Sequence, residues 1–246
     1  MTHPTIASAA RAALLAASLA AASLLLPTAA PAFDSEANVN DTRDLPDPSP
    51  NVGGCESTAG TCTLRAAIMR ANKRTGQHVI RVAAGTYTLT RAGREEDDAE
   101  PGDLDVRRDT TIAGAGAGVT IIDAAGIDRV FDLSGKRNIT LKDLTIRGGD
   151  AESAEFFGRV GGGIRVGRIN DGNGNVKLVR VVVENNFSNG SGGGVFMIGT
   201  RSLRIERSAI VDNTAFGENS FGSAVEIQGG TLTITCLLYT SPSPRD

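Results

Sequence analysis

A chain of 246 residues with 25 Lys+Arg, 28 Asp+Glu and a formal charge of −3 has room for one or two domains and carries no basic excess, which argues against nucleic acid as a partner. Tryptophan is absent and only 4% of residues are aromatic, so a core must be built from Val, Ile, Leu and Ala. The 30 glycines are well above the usage of about 7% in ordinary domains, and none of the nine prolines falls between Pro101 and the C-terminal tail, as a long run of paired strands requires.

Residues 1–32 have the three parts of a secretory signal peptide. Arg11 supplies a thin positive region, Ala12 to Leu26 an apolar stretch, and Ala30-Pro31-Ala32 a small-residue cleavage site. The apolar stretch is shorter than the roughly 20 residues that span a bilayer. The expectation is export to a secreted or cell-surface location, with Phe33 starting the mature chain and no membrane span left after cleavage. Residues 33–54 are polar, carry Pro46, Pro48 and Pro50, and read as an extended N-terminal arm.

Cys55 and Cys62 bracket "CESTAGTC". In an exported chain, two cysteines closing a short loop predict a disulfide. A metal site lacks ligands there, because His78 is the one histidine after residue 32. "TLRAAIMRANKRTG" follows, with Thr63 as an N-cap. Leu64, Ala67, Ile68 and Ala71 share a face at helical spacing, and Arg65, Arg70, Lys73 and Arg74 lie mostly off it. Residues 55–77 are therefore expected to form a disulfide clip and a short amphipathic helix.

From His78 the pattern switches to period two. "VIRVAAGTYTLT" gives two short strands around Ala84-Gly85, and "DLDV", "TTIAGAGAG", "VTIID" and "RVFDLSG" are further short strands punctuated by Gly, Asp and Asn. A repeat then appears. "NITLKDLTIRGGDA", "NVKLVRVVVENNFS" and "SLRIERSAIVDNTA" align without a gap, and "TLTIT" begins a fourth copy. A second element recurs between them as "GGGIRV", "GGGVFM" and "GSAVEI". Corresponding starts at Ile139, Val176, Leu203 and Leu232 are 37, 27 and 29 residues apart, with polar inserts absorbing the difference. Repeats made of several short strands and no helix predict an all-β solenoid, a parallel β-helix over residues 78–235, right-handed by the crossover rule. Ile139, Val176, Leu203 and Leu232 form one inward column; Leu141, Leu178, Ile205 and Ile234 form the next. Asn186 over Asn213 is expected to form a short amide ladder at a turn. The helix is expected to cap the open first rung, which would otherwise be an aggregation hazard.

"CTLRAAI", Cys62 to Ile68, resembles the Cys-Ser-Leu-Arg-Glu-Ala-Ile signature of exported bacterial proteins of the CSLREA-domain family, with Thr63 for Ser and Ala66 for Glu. The resemblance continues through "AAGTYTLT", "GDLDV", "TIAGAGAGVTIID" and "DRVFDLSG". It implies a right-handed parallel β-helix of the pectin-lyase type, secreted or surface-attached, and no settled activity. The last residues, 236–246, resemble the translation of a transposase adapter used in sequencing libraries. Pro242 and Pro244 fall there, and Cys236 is an odd third cysteine. That segment is expected to be a non-native tail, and the natural β-helix to be truncated at Thr235.

Chemistry is sparse. The outward columns Thr140/Lys177/Arg204, Asp143/Arg180/Arg207, Lys142/Val179/Glu206 and Arg147/Glu184/Val211 stack no acid on acid, as paired catalytic carboxylates on adjacent rungs would require. "REEDDAEPGDLD" offers Glu95, Glu96, Asp97 and Asp98 as weak calcium candidates, though it has no EF-hand spacing. "NDGNGN" reads as turns first. Phe156, Phe157, Phe187, Phe196, Phe216 and Phe221 could stack on sugars or fill corners. No catalytic residue or cofactor is assigned. The expected function is a secreted or surface module for adhesion or glycan binding, with an extracellular glycan or cell-surface ligand as partner. The alternative is a polysaccharide-active enzyme, a lyase or glycoside hydrolase.

Overall fold

The computed structural model describes residues 35–94, 97–153, 158–169, 171–199, 201–217, 220–236 and 238–240. The proposed signal peptide lies outside the described residues. Every strand pairing among them is parallel and joins one repeat to the next. One sheet runs in the order Ser35–Val39, His78–Val82, Thr110–Ala113, Asn138–Arg147, Asn175–Glu184, Ser202–Glu206 and Thr231–Thr235. Its lateral half adds Gly85–Thr88, Thr120–Asp123, Ala209–Val211 and Leu238–Thr240. A second sheet stacks Leu104–Val106, Phe131–Leu133, Ile164–Val166, Val195–Ile198 and Val225–Gln228. A third stacks Asp150–Ala151, Phe187–Ser188 and Thr214–Ala215. The chain visits the long sheet, the third and the second in turn, then returns one rung on. The architecture is all-β and solenoid-like, with one helix.

The register follows the repeat. Val176 pairs with Ile139 on one side and Leu203 on the other, and Leu203 pairs with Leu232. Leu141, Leu178 and Ile205 stack alongside, fully buried. The interior is thus a set of aliphatic ridges with rungs about 4.8 Å apart. In the last rung Leu232 and Ile234 are 36% and 44% exposed, since no described rung covers them.

Two bends recur in register. Asp143, Arg180 and Arg207 have left-handed φ of 58°, 53° and 47° and divide the long sheet into halves. Beyond the second half, Asn186 Nδ2 donates to Asn213 Oδ1 at 2.9 Å, and Asn186 Oδ1 accepts from the Gly149 amide at 2.9 Å. Asn213 Nδ2 in turn donates to the carbonyls of Val183 and Val211, each at 2.9 Å. These side chains replace backbone partners where the ladder turns a corner.

The residues 33–54 read as an arm contain a strand. Ser35–Val39 pairs in register with His78–Val82 and so forms the first edge of the long sheet. "SEANV" lacks the β-branched alternation that signals a strand, which is why it escapes notice in the sequence. Helix α1, Leu64–Asn72, begins at Thr63, whose Oγ1 accepts from the Ala66 amide at 3.1 Å. Ala66, Ala67 and Ile68 are fully buried beneath it. Cys55 and Cys62 are disulfide-bonded across seven residues just before the cap. Replacing both by Ser is expected to cost about 2 kcal/mol, measured as a lower urea midpoint than the oxidised parent; equal midpoints would show that the clip adds nothing.

Candidate functional site

The densest charge lies on the outer side of the second sheet. The middle residues of its strands form one column, Asp105, Asp132, Arg165, Phe196 and Glu226. Asp105 stands directly over Asp132, so the chain does stack acid on acid, in a column that the four outward columns of the repeats do not include. The signal was present: "LDV" and "FDL" share one pattern, but they precede the longer repeats and align only once the register is known.

Carboxylate oxygens of Asp97, Asp105 and Asp132 lie within 4.8 Å of one another. Asp97 belongs to the proposed calcium stretch; Glu95 and Glu96 lie outside the described residues. Asp98 points away and pairs with Arg107 at 3.2 Å. Cations fill the cluster. Arg168 contacts Asp97, lies 2.7 Å from Asp132 and 3.8 Å from Asp105, and Arg165 pairs with Asp132. Asp105 also accepts from the Ala99 amide at 3.0 Å. Asp105 and Asp132 are 0% exposed. A carboxylate trio of this size suits a divalent cation, but here the Arg168 guanidinium already reaches all three, so a metal would have to displace it.

Burial raises the Asp132 pKa, but Arg165 and Arg168 outweigh it and hold the carboxyl down at about 2. The Asp97 carboxyl is lowered by its hydrogen bond from Arg168. A folded pKa below the ordinary 3.8 contributes stability above the unfolded value, and that contribution is lost as pH falls through the folded one. The chain is therefore expected to lose stability between about pH 4 and pH 2, and Asp132→Asn to flatten that limb while lowering stability at neutral pH. Denaturation midpoints across this range check it; an unchanged acid limb in the variant would contradict it.

A second group sits beside the first. Arg129 lies 2.6 Å from Asp103, and its other nitrogens donate to the carbonyls of Val160 (2.6 Å) and Gly158 (3.0 Å). Burial pushes Asp103 up to about 8 against the pull of Arg129. Asp128 is raised for the same reason. One carboxyl raised and a neighbour lowered is the pattern of an acid and base pair. Asp103 is 4% exposed, however, and a substrate needs to reach the acid within hydrogen-bond distance.

A third buried group sits at the N-terminal end of the solenoid-like stack. Arg65 is 1% exposed, although helical spacing places it off the apolar face. Its Nε and Nη2 grip Asp44 at 2.5 and 3.2 Å, and its terminal nitrogens donate to the carbonyls of Ala99, Pro101, Gly102 and Asp103 at 2.8–3.3 Å. Asp44 also accepts from the amides of Thr90 and Arg91. One side chain thus ties the N-terminal segment, α1 and the loop before the second sheet together.

The remaining sequence candidates are dispersed. His78 is buried, with Nδ1 2.6 Å from Ser35 Oγ and Nε2 3.4 Å from the Arg74 carbonyl. Asp171 of "NDGNGN" accepts from the amides of Gly135 and Arg168 at 2.9 and 3.0 Å and from Arg201 at 3.1 Å. Asn170, Phe156 and Phe157 lie outside the described residues. Phe196 is fully buried, whereas Phe216 and Phe221 are exposed. No helix among the described residues is long and apolar enough to cross a membrane. Compared with protein-family models, curated proteins and solved structures, the chain matches none, so the likeness to the CSLREA signature rests on the residues quoted for it.

Proposed function

We propose that the chain is an exported, right-handed parallel β-helix that serves as a non-catalytic module for adhesion or glycan binding at the cell surface or outside the cell. The observation that carries this reading is the state of the carboxylates. Asp103, Asp105 and Asp132 are buried, and Asp97, half-buried beside them, is held by Arg168; Arg129, Arg165 and Arg168 clamp the group, while the long sheet presents a broad, solvent-facing ladder. Buried ion pairs of this kind fix loops in place; a flat repeated face suits an extended ligand. The right-handed sense is supported by the parallel crossovers between rungs, and export by the leader-like composition of residues 1–32.

The test is retention of the purified chain on an array of neutral and charged glycans. Saturable binding to a defined set supports the module. Absence of binding to every glycan, with the fold intact, would remove this reading. A second reading, a polysaccharide lyase or glycoside hydrolase, draws on the Asp97, Asp105 and Asp132 cluster and the raised Asp103. It requires the buried Asp103, Asp105 and Asp132 to become accessible.

A further inference from the structure

We infer that one half of the long sheet's outer face binds a linear polyanionic glycan, carboxylated or sulfated, along the stacking axis. This rests on the glycan-binding reading above and adds the chemistry of the ligand.

The two halves of the face differ in sign. On the first half, over the rungs Asn138–Arg147, Asn175–Glu184 and Ser202–Glu206, Lys177 stacks on Arg204 and Lys142 lies one column across. Arg180 and Arg207 stand at the bend that ends this half. Lys177, Arg180, Arg204 and Arg207 are exposed and Lys142 is half-buried. Against these five cations stand two carboxylates, Asp143 and Glu206. Beyond the bend, the outward column is Asp123, Arg147 and Glu184, with Arg147 paired to Asp123 at 2.9 Å. A chain of net charge −3 therefore gathers positive charge in one place, and a cationic stripe raises the local concentration of a polyanion.

The pairs within the stripe do not cancel it. Arg180 binds Asp143 at 2.5 and 2.7 Å, and Glu206 is contacted by Arg204 and lies 4.0 Å from Arg207. Exposed pairs of this type hold little net energy, so a ligand anion can take the carboxylate's place. Cations recur on successive rungs about 4.8 Å apart, and that regularity fits a polymer with a repeating charge better than a compact anion.

A saccharide is favoured over other polyanions by what borders the stripe. Ile121, Thr145, Val182 and Ala209 form the next column; Thr145 is buried under the Gly118 amide, whereas Ile121, Val182 and Ala209 are half-buried, and Ala117, Val182, Ala209 and Cys236 help line a depression beside Arg180 and Arg207. This apolar strip gives the C–H face of a sugar ring a surface while the acidic substituents reach the cations. Those columns hold no aromatic ring for a base to stack on, as single-stranded nucleic acid requires.

The test titrates the purified chain with dextran sulfate, hyaluronan and unmodified dextran, at low and high salt, beside vesicles containing phosphatidylglycerol. The expected result is saturable binding to one or both charged glycans and none to dextran, weakening as salt screens the contact. Lys177→Glu/Arg204→Glu should weaken it roughly tenfold or more, with an unchanged circular dichroism spectrum. Lys73→Glu/Arg43→Glu makes the same change in net charge away from this face and should leave affinity within about twofold. Sulfate against carboxylate preference reads directly from the two polymers. Equal loss in both double variants would overturn the proposal, as would binding to vesicles alone. Binding to dextran that ignores the charge reversals would overturn it and leave the glycan-binding reading standing. Failure to bind these and every neutral glycan on the array would remove both.

Discussion

Replacing Arg65 by Ala is expected to destabilise the protein by about 3–5 kcal/mol, because it strips a buried carboxylate of its counter-charge. Among the described residues Asp44 is left with the Thr90 and Arg91 amides, and the carbonyls of Ala99, Pro101, Gly102 and Asp103 lose a shared donor. Arg65→Lys keeps the charge but not the planar fork that reaches both Asp44 oxygens and the carbonyl cluster, so it should recover only part of the loss. Asp44→Ala should be similarly severe. The double variant should cost well under the sum of the two, since each single change strands the other group. Urea unfolding of the four variants beside the parent measures this. A loss under about 1 kcal/mol for Arg65→Ala would mean that the hub adds nothing beyond an ordinary surface contact.

The second large effect is steric. A Cβ placed on Gly162 would run into the carbonyl oxygen of Phe187 and stand 2.7 Å from that of Gly193. Both obstacles are backbone of the next rung, held by hydrogen bonds between rungs, and neither can swing away. Gly162→Ala is therefore expected to cost about 3 kcal/mol or more, at the upper end of overpacking effects. Gly54→Ala meets nothing within 4 Å and serves as the control, expected within about 0.5 kcal/mol of the parent. The same crowding explains the repeated triplets. Gly193 faces the carbonyls of Thr214 and Ser223 as Gly162 faces those of Phe187 and Gly193. In the third copy Ser223 takes that position and is exposed, because no described rung crowds it from the far side.

Much of the fold was legible in the sequence because a stack of repeated parallel strands writes its register into its spacing. Once Ile139, Val176 and Leu203 are aligned, the next inward column and the stacked asparagines follow without further information, and the pairings agree residue by residue. The charge clusters were not legible for a physical reason. Which residues meet on an outer face depends on which loop folds over it, and loop trajectories leave no periodic trace. Asp97 reaches Arg168 across 71 positions of sequence, and Arg65 reaches Gly102 across 37. Helical spacing alone placed Arg65 toward solvent; the loop that closes over it reverses that. The motif around Cys62 gains a physical sense from the same contacts: a clip, an N-cap, a buried Leu64, an arginine hub and small residues that let α1 lie close to the sheet.

The most direct measurement follows turnover and retention in one sample. The purified chain is incubated with a panel of neutral and acidic polysaccharides, bound protein is separated from free, and the same mixtures are assayed for new reducing ends and unsaturated products. A binding module predicts saturable retention with no product accumulating over the uncatalysed background. Product formation by the parent chain that disappears in Asp132→Asn, while retention persists, would contradict it and assign the Asp97, Asp105 and Asp132 cluster to catalysis.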